Sequence, residues 1–163
     1  MDSRRHHSDT DDLGFDESHS RTVEILGSLV PYWIARRAVT VSVRTDRDRY
    51  DRGEPVEITV DFENRLPVPL EIPTPKRRRW GWRVDGELEA SDQRRYTRPN
   101  PSVFRFAGGE RKRIEFTWNG RLERTGEVHE WVLPDPGDHE IEVFVATHED
   151  CYRPSDATTI TIR

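Results

Sequence analysis

The sequence predicts an all-β fold, an antiparallel β-sandwich of seven to nine strands preceded by one short helix. Two observations lead to this prediction. Short segments in which apolar and polar residues alternate recur along the chain, and glycine- and proline-containing turns separate them at roughly 8 to 15 residues. Only 33% of the residues are hydrophobic and 35% are charged. Apolar residues are therefore sufficient for one buried face of each strand, as in a sandwich.

The charged residues are unusual in kind. The chain has 31 acidic and 26 basic residues, and every basic residue except Lys76 and Lys112 is arginine. Such a composition is typical of proteins from salt-adapted archaea, and it also arises from codon bias in a GC-rich genome; the sequence leaves both open. Most of the net charge of −5 lies near the amino terminus. No block of the remaining domain is basic enough overall to require nucleic acid.

The sequence also bears on location. Cys151 is the only cysteine, so no intrachain disulfide can form. The start, M-D-S-R-R-H-H-S, lacks the apolar core of a signal peptide, and no run approaches the roughly 18 apolar residues of a membrane span. We therefore expect a cytoplasmic protein with no transmembrane segment. The oligomeric state is not predicted.

Composition divides the chain into three parts. Residues 1–22 are too polar to offset the entropy of ordering, which predicts a disordered acidic tail. Residues 23–37 carry apolar side chains at helical spacing, which predicts a short amphipathic helical segment. From residue 38 to residue 163 the apolar period changes to two, so this part is the expected sandwich domain.

Pro31 interrupts the helical segment and favours a short helix from Pro31 to Arg37, because proline fits the first turn of a helix but not its interior. If left uncovered, Leu29, Trp33 and Ile34 would form an apolar surface for a partner. Packing of the same residues against the sandwich, and anchoring at a membrane surface, are the alternatives.

The first strands follow from alternation. Val39–Val43 is the first strand, and a polar turn is expected over Asp46–Gly53. The second strand, Val56–Phe62, has four apolar residues on one face. Over Leu66–Ile72, apolar residues again share one face while prolines alternate with them. Because proline cannot donate to a ladder, this third strand is expected at an edge or to be irregular.

The later strands are bounded by recognisable turns. Asp85-Gly86 suits a two-residue turn, which predicts a hairpin between Trp80–Val84 and Leu88, followed by a polar loop over 91–101. Two further strands, joined by a glycine turn, are predicted at Val103–Phe106 and Ile114–Trp118. A polar loop is expected over Arg121–Glu127, and the two final strands are Ile141–Val145 and Ala157–Ile162.

In this order, the segments resemble the BsuPI-type intracellular proteinase inhibitor family. The resemblance covers about residues 38 to 147 and is carried by Y-D-R-G-E-P-V-E-I-T-V-D-F-E-N, by the Trp-rich strand with D-G, and by E-F-T-W-N-G and P-G-D-H-E-I. It implies an immunoglobulin-like sandwich and inhibition of a cytoplasmic serine proteinase. The chain is also similar to single-domain proteins of salt-loving archaea and, more distantly, to one half of an arrestin-like sandwich.

One segment combines arginine with tryptophan and is a candidate binding site. Such a surface suits phosphate, single-stranded nucleic acid or an acidic protein segment. The favoured alternative is that the arginines pair with nearby acids while the tryptophans fill the core. The candidate residues are Arg77, Arg78, Arg79, Trp80, Trp82 and Arg83.

Catalytic motifs are not found. The stretches H-E-W-V-L and H-E-D-C-Y lack the second histidine of a zinc protease, and no nucleophile elbow, P-loop or dinucleotide fingerprint occurs. His139, His148, Asp150 and Cys151 could hold zinc if the fold brought them together; a metal-free loop is the favoured interpretation. We therefore expect no catalytic residue, no metal and no cofactor.

The function predicted from the sequence is that of a non-catalytic protein-interaction module with an unknown protein partner. Inhibition of an intracellular proteinase is the specific version that the family resemblance implies. Two alternatives remain: binding of nucleic acid or an acidic ligand through the Arg/Trp face, and a metal-dependent hydrolase.

Overall fold

A computed structural model describes residues 30–88, 100–125, 129–148 and 151–163. The predicted tail and residues 23–29 of the segment 23–37 lie outside these ranges. One helix, α1 (Tyr32–Ala38), precedes twelve strands in the described residues. The strands are β1 (Val39–Thr45), β2 (Arg49–Tyr50), β3 (Val56–Asn64), β4 (Leu70–Thr74), β5 (Trp80–Val84), β6 (Glu87–Leu88), β7 (Ser102–Phe106), β8 (Arg111–Trp118), β9 (Leu122–Thr125), β10 (His129–Val132), β11 (Gly137–Val145) and β12 (Ser155–Ile162).

Helix α1 starts where the sequence predicts it. The carbonyl of Pro31 accepts hydrogen bonds from the N–H groups of Ile34 and Ala35, both at 2.9 Å. The helix ends where Val39 becomes extended and donates its N–H to Ala35 O. Ala35 and Ala38 are buried in the core cluster, so small side chains let the helix lie close to the sandwich.

The main strands form two sheets. The first has the order β1-β3-β8 and the second the order β2-β12-β11-β5-β6. Neighbouring strands are antiparallel except β2 and β12, which pair in parallel. The sheets match strands A-B-E and G-F-C of an immunoglobulin domain. The predicted immunoglobulin-like β-sandwich is therefore confirmed.

A row of aromatic rings joins the two sheets across the core. Phe62 of β3 lies 6.1 Å from Trp80 of β5, between ring centroids, and Trp80 lies 5.5 Å from Phe116 of β8. Phe116 lies 5.1 Å from Trp82, which in turn lies 6.5 Å from Trp118. Aromatic pairs at these distances contribute about 0.5–1.5 kcal/mol beyond the area they bury. The row packs side chains of the two sheets against each other in the core.

The strand number exceeds the predicted seven to nine because of the two-residue strands β2 and β6 and the hairpin β9–β10. Both predicted polar connections, Asp46–Gly53 and Arg121–Glu127, are therefore partly strand, which corrects the prediction. In the first, Tyr50 is buried, its hydroxyl donates to Asp46 Oδ1 at 2.7 Å, and the backbone pairs with β12. The second pairs through its backbone with β10, which a polar side-chain pattern does not indicate.

The proline-rich strand also differs from its prediction, because Val68 is exposed. The buried side chain of Asn64 donates to Val68 O at 2.9 Å and accepts from the N–H of Leu66 at 2.9 Å, which holds this stretch in a turn. Alternation therefore begins only at Leu70. Leu70 and Ile72 are buried as predicted. In the described part of the chain, β4 pairs with β7 alone, as an edge strand does.

Candidate functional site

The basic segment lies in the connection between β4 and β5. Lys76, Arg77 and Arg79 are exposed. Within the described ranges, none of these three side chains has an ion-pair partner. Arg78 differs, since it is half-buried and its Nε donates to Trp80 O at 2.9 Å. Burial lowers the pKa of Arg78.

The remaining candidates of the Arg/Trp face turn inward or are already engaged. Trp82 is only 6% exposed, and Trp80 is half-buried in the aromatic row. Arg83 Nε lies 2.9 Å from Glu142 Oε2, and its guanidinium lies 4.8 Å from the ring centroid of Phe144. The six candidates do not share one surface. The outward-facing cations among them are Arg77 and Arg79.

Helix α1 presents two neighbouring aromatic side chains to solvent. Tyr32 is 56% exposed and Trp33 is 59% exposed, while Ile34 is half-buried. Leu29, the third residue of the predicted partner surface, lies outside the described residues. Because the opposite side of the helix is fixed by buried Ala35 and Ala38, the helix backbone holds the two rings at the surface.

A residue distant in sequence extends this surface. The Arg37 guanidinium lies 5.4 Å from the ring centroid of Tyr152, which precedes β12 and is 54% exposed. We call Tyr32, Trp33, Arg37 and Tyr152 the α1 patch. Sequence reasoning missed Tyr152 because only the fold brings it to the helix. The available signal was a large aromatic residue within a polar loop.

Both ring nitrogens of His139, the candidate zinc ligand, are hydrogen-bonded to other residues of the domain. His139 Nδ1 lies 2.6 Å from Asp85 Oδ2, and Nε2 lies 2.7 Å from Asp135 O. Both partners accept hydrogen bonds, so both ring nitrogens donate and neither offers a lone pair to a metal. Burial lowers the pKa of His139, but the hydrogen bonds to Asp135 and Asp85 outweigh burial and raise it above 6.5.

The other predicted metal ligands are not brought together in the described residues. His148 is exposed, Cys151 is half-buried, and Asp150 lies outside the described ranges. No three His, Cys, Asp or Glu side chains within those ranges form a group suited to a metal ion.

An open depression of about 640 Å³ lies beside β2 and β12. One of its basic side chains, Arg47, is already paired with Glu54 at 2.8 Å and with Asp46 at 3.1 Å. Its lining has no histidine or cysteine, and the hydroxyl of Thr161 donates to Asp138 Oδ1 at 2.8 Å. The lining residues are Arg47, Asp48, Arg49, Thr159 and Thr161.

Comparison with known proteins places the chain in a family. The model of a family described as "Family of unknown function (DUF7974)" matches residues 27–163. A comparison with curated proteins found no match. In the described part of the chain, no helix has the length and apolar character needed to cross a membrane.

Several solved structures are similar in fold. Spo0M, a sporulation control protein from Bacillus subtilis, is 18% identical with a TM-score of 0.47, over 77% of this chain and 49% of that one. The CARDB domain of PF1109 from Pyrococcus furiosus is 11% identical with a TM-score of 0.44, over 77% of this chain and 94% of that one. The alkylpurine DNA glycosylase AlkC from Pseudomonas fluorescens is 15% identical with a TM-score of 0.47, over 88% and 34%. The chain thus spans about half the length of Spo0M, and none of these similarities bears on activity.

Proposed function

Because this chain belongs to the DUF7974 family, whose function is unknown, we propose from its surfaces that it is a non-catalytic protein-interaction module that binds a protein partner at the α1 patch. The observation that carries the proposal is the exposure of two neighbouring aromatic rings, Tyr32 and Trp33, on a helix anchored in the core.

The composition of the α1 patch supports this function. Tyrosine, tryptophan and arginine are enriched among the residues that contribute most to binding at protein interfaces. Helix α1 holds Tyr32, Trp33 and Arg37 on a backbone whose buried side is Ala35 and Ala38, so less conformational entropy is lost on binding than from a mobile loop. An anchored aromatic surface of this kind suits a partner with an apolar centre and acidic groups around it.

Two of the described titratable groups have roles in the fold that support a non-catalytic function. His139 donates from both ring nitrogens, and Asp61 is bound by Arg44 at 2.9 Å and by Arg113 at 2.8 Å. These groups are engaged in holding strands together. An acid–base catalyst instead needs a group free to exchange a proton with a substrate.

An intracellular serine proteinase is the specific partner that we propose, in a cytoplasmic location. The reason is the resemblance to the BsuPI-type inhibitor family over residues 38 to 147. We expect the full chain to inhibit a purified intracellular subtilisin-type proteinase, and we expect Trp33→Ala to weaken the inhibition. Absence of both inhibition and binding would remove the proteinase from the proposal and leave the interaction module to be tested separately.

Site-specific photo-crosslinking tests the interaction module itself. A photoreactive phenylalanine analogue replaces Trp33 in one variant and Trp131 in another, in cells of the source organism. Trp131 is a suitable control because it is 46% exposed and lies on β10, away from helix α1 in the sequence. We expect one discrete adduct from position 33 that position 131 does not give. Identical adducts, or none, would contradict the proposal.

A second candidate function is binding of an acidic ligand, including nucleic acid, by Lys76, Arg77 and Arg79. The observation that favours it is that these three exposed cations lack ion-pair partners among the described residues. A polyanion such as single-stranded DNA would then bind less tightly as salt rises.

The charge-reversal variant Arg77→Glu with Arg79→Glu tests this second candidate. Its control is Arg49→Glu with Arg163→Glu, which changes the net charge equally at two exposed positions elsewhere. Loss of polyanion binding in the first variant and not in the second supports the candidate. Salt-independent binding, or equal loss in both variants, rejects it.

A further inference from the structure

Strand β8 pairs with β3 on one edge, and its other edge is open with respect to the residues that the structure describes. The N–H of Asn64 donates to Glu110 O at 2.9 Å, and the register continues with Phe62 opposite Lys112 and Val60 opposite Ile114. Even-numbered residues of β8 therefore direct their backbone groups toward β3. The odd-numbered residues direct theirs away from β3, where no described strand pairs with β8. These residues are Arg111, Arg113, Glu115 and Thr117.

The opposite edge of the same sheet is covered. On β1, the N–H of Val39 donates to Ala35 O of helix α1, and the N–H of Val43 donates to Asp156 Oδ2 of β12 at 2.9 Å. Covering an edge in this way prevents unwanted strand pairing. Among the described residues, β8 has no comparable cover.

The place beside β8 is occupied in many immunoglobulin-like domains. There the sheet order is A-B-E-D, so that strand D pairs with the strand equivalent to β8. Among the residues that the structure describes, this sheet ends at β8, and Ile114 and Phe116 on its core face are only half-buried. A strand added at this edge would both satisfy backbone groups and cover these two side chains.

We propose that a second copy of this chain occupies the edge, with β8 pairing antiparallel to β8 about a two-fold axis at Ile114. Backbone groups that point to the open edge must face each other, so odd-numbered residues pair with odd-numbered residues. This register sets Arg113 opposite Glu115 of the second copy, twice. It also sets Arg111 opposite Thr117, and the two Ile114 side chains against each other on the core face.

Charge selects this register over its neighbours. A shift of one pairing step in either direction sets Arg113 opposite Arg113 or Glu115 opposite Glu115, and like charges directly opposite each other destabilise a sheet. The first of these registers also sets Arg111 opposite Glu115 twice, so it matches the proposed register in attractive pairs but carries one repulsive pair as well. Edge arginines commonly deter pairing. In the proposed register, each Arg113 lies opposite a Glu115, so the repulsion between like charges is absent.

The charges around Arg113 and Glu115 are also consistent with the proposed pairing of β8. Arg113 donates to Asp61 at 2.8 and 3.1 Å, and Asp61 also accepts from Arg44 at 2.9 Å, so two cations share one carboxylate. Glu115 is exposed and forms no salt bridge in the described part of the chain, although its charge acts on Arg113 of the same strand. In the dimer, the Glu115 carboxylate of each copy would face Arg113 of the other copy, whose own partner Asp61 is shared with Arg44. Such self-complementarity is what a two-fold interface requires.

Sedimentation across a concentration series tests the dimer. We expect the wild-type chain to show a reversible monomer–dimer equilibrium. Glu115→Arg should be monomeric, because it sets arginine opposite arginine twice, and Arg113→Glu should be monomeric for the converse reason. An equimolar mixture of the two variants should dimerise again, because both facing pairs of residues 113 and 115 are then of opposite charge.

The control is Glu140→Arg, which makes the same charge change at an exposed position on β11 and should dimerise like the wild type. Thermal unfolding establishes that Glu115→Arg is folded. A wild-type chain that stays monomeric at every concentration, or a Glu115→Arg variant that still dimerises, would overturn the proposal.

Hydrogen exchange locates the interface residue by residue. We expect the amides of Arg113 and Glu115 to become more protected as concentration rises in the wild type, and to stay unprotected in Glu115→Arg. A dimer without this protection would also overturn the β8 pairing. The test does not depend on the α1 patch, since Trp33→Ala should leave the dimer unchanged.

Discussion

The imidazole of His139 is held by the carboxylate of Asp85, with Nδ1 2.6 Å from Oδ2. Asp85 lies at a φ of 51° in the turn between β5 and β6, and its second oxygen accepts from the N–H of Glu140 at 2.9 Å. His139 Nε2 donates to Asp135 O at 2.7 Å. One charged pair therefore ties the D-G turn to β11 and to the connection that precedes it.

This pair predicts that stability depends on pH. The pKa of His139 is raised above its ordinary value of 6.5, so the stabilisation is fully present below that value and is lost as pH rises through the folded-state pKa. We expect the melting temperature to fall as pH rises above about 6.5, the ordinary pKa of histidine. In Asp85→Asn, which removes the charge attraction, the fall should be smaller. Equal slopes in both proteins would contradict the assignment.

Asp61 predicts the opposite dependence at acid pH. Hydrogen bonds from Arg113 and then Arg44 hold its pKa at about 2, below the usual 3.8, against the effect of burial. The stabilisation is present above 3.8 and is lost as pH falls through about 2. Urea unfolding should show a steeper loss of stability below about pH 4 in the wild type than in Asp61→Asn. The prediction fails if the two curves run parallel.

The aromatic row predicts which tryptophan substitutions reduce stability. Trp118 is buried, contacts Trp82, and donates from Nε1 to Arg121 O at 2.9 Å. Trp118→Ala should lower the free energy of unfolding by about 3–5 kcal/mol. Trp131→Ala, at an exposed position, should change it by less than about 0.5 kcal/mol. Chemical denaturation measures both, and similar effects would show that Trp118 does not pack between the sheets.

Substitutions at two glycines distinguish the cost of a left-handed backbone from the cost of a steric clash. Gly120 and Gly109 have φ angles of 69° and 68°. A Cβ at Gly120 would lie 2.5 Å from Glu54 O, whereas a Cβ at Gly109 would meet nothing within 4 Å. Gly109→Ala should therefore cost only about 1–2 kcal/mol for the left-handed backbone. Gly120→Ala should cost clearly more in the same unfolding experiment, and equal costs would mean that the backbone at Gly120 relaxes freely.

Much of the fold could be predicted from the sequence because its long strands alternate cleanly. The Val56–Phe62 strand and the Asp85-Gly86 turn follow from rules that act over a few residues. Strand β9 could not be predicted, because its pairing is a backbone interaction between polar segments. The exposure of Val68 depends on the buried amide of Asn64, which a local pattern does not reveal.

The candidate site was less accessible from sequence. A run of arginine and tryptophan does not show which side chains face the core, and the fold buries Trp82 while leaving Arg77 exposed. Tyr152 joins the α1 patch only through its contact with Arg37. Surfaces assembled from distant segments require the three-dimensional arrangement.

The most direct test of the proposed function is the affinity of the chain for the partner identified by crosslinking at position 33, measured with purified components. We expect Trp33→Ala to weaken binding by at least about tenfold, as for a residue central to an interface, and Trp131→Ala to leave the dissociation constant unchanged. Equal affinities for the wild type and Trp33→Ala would contradict the account.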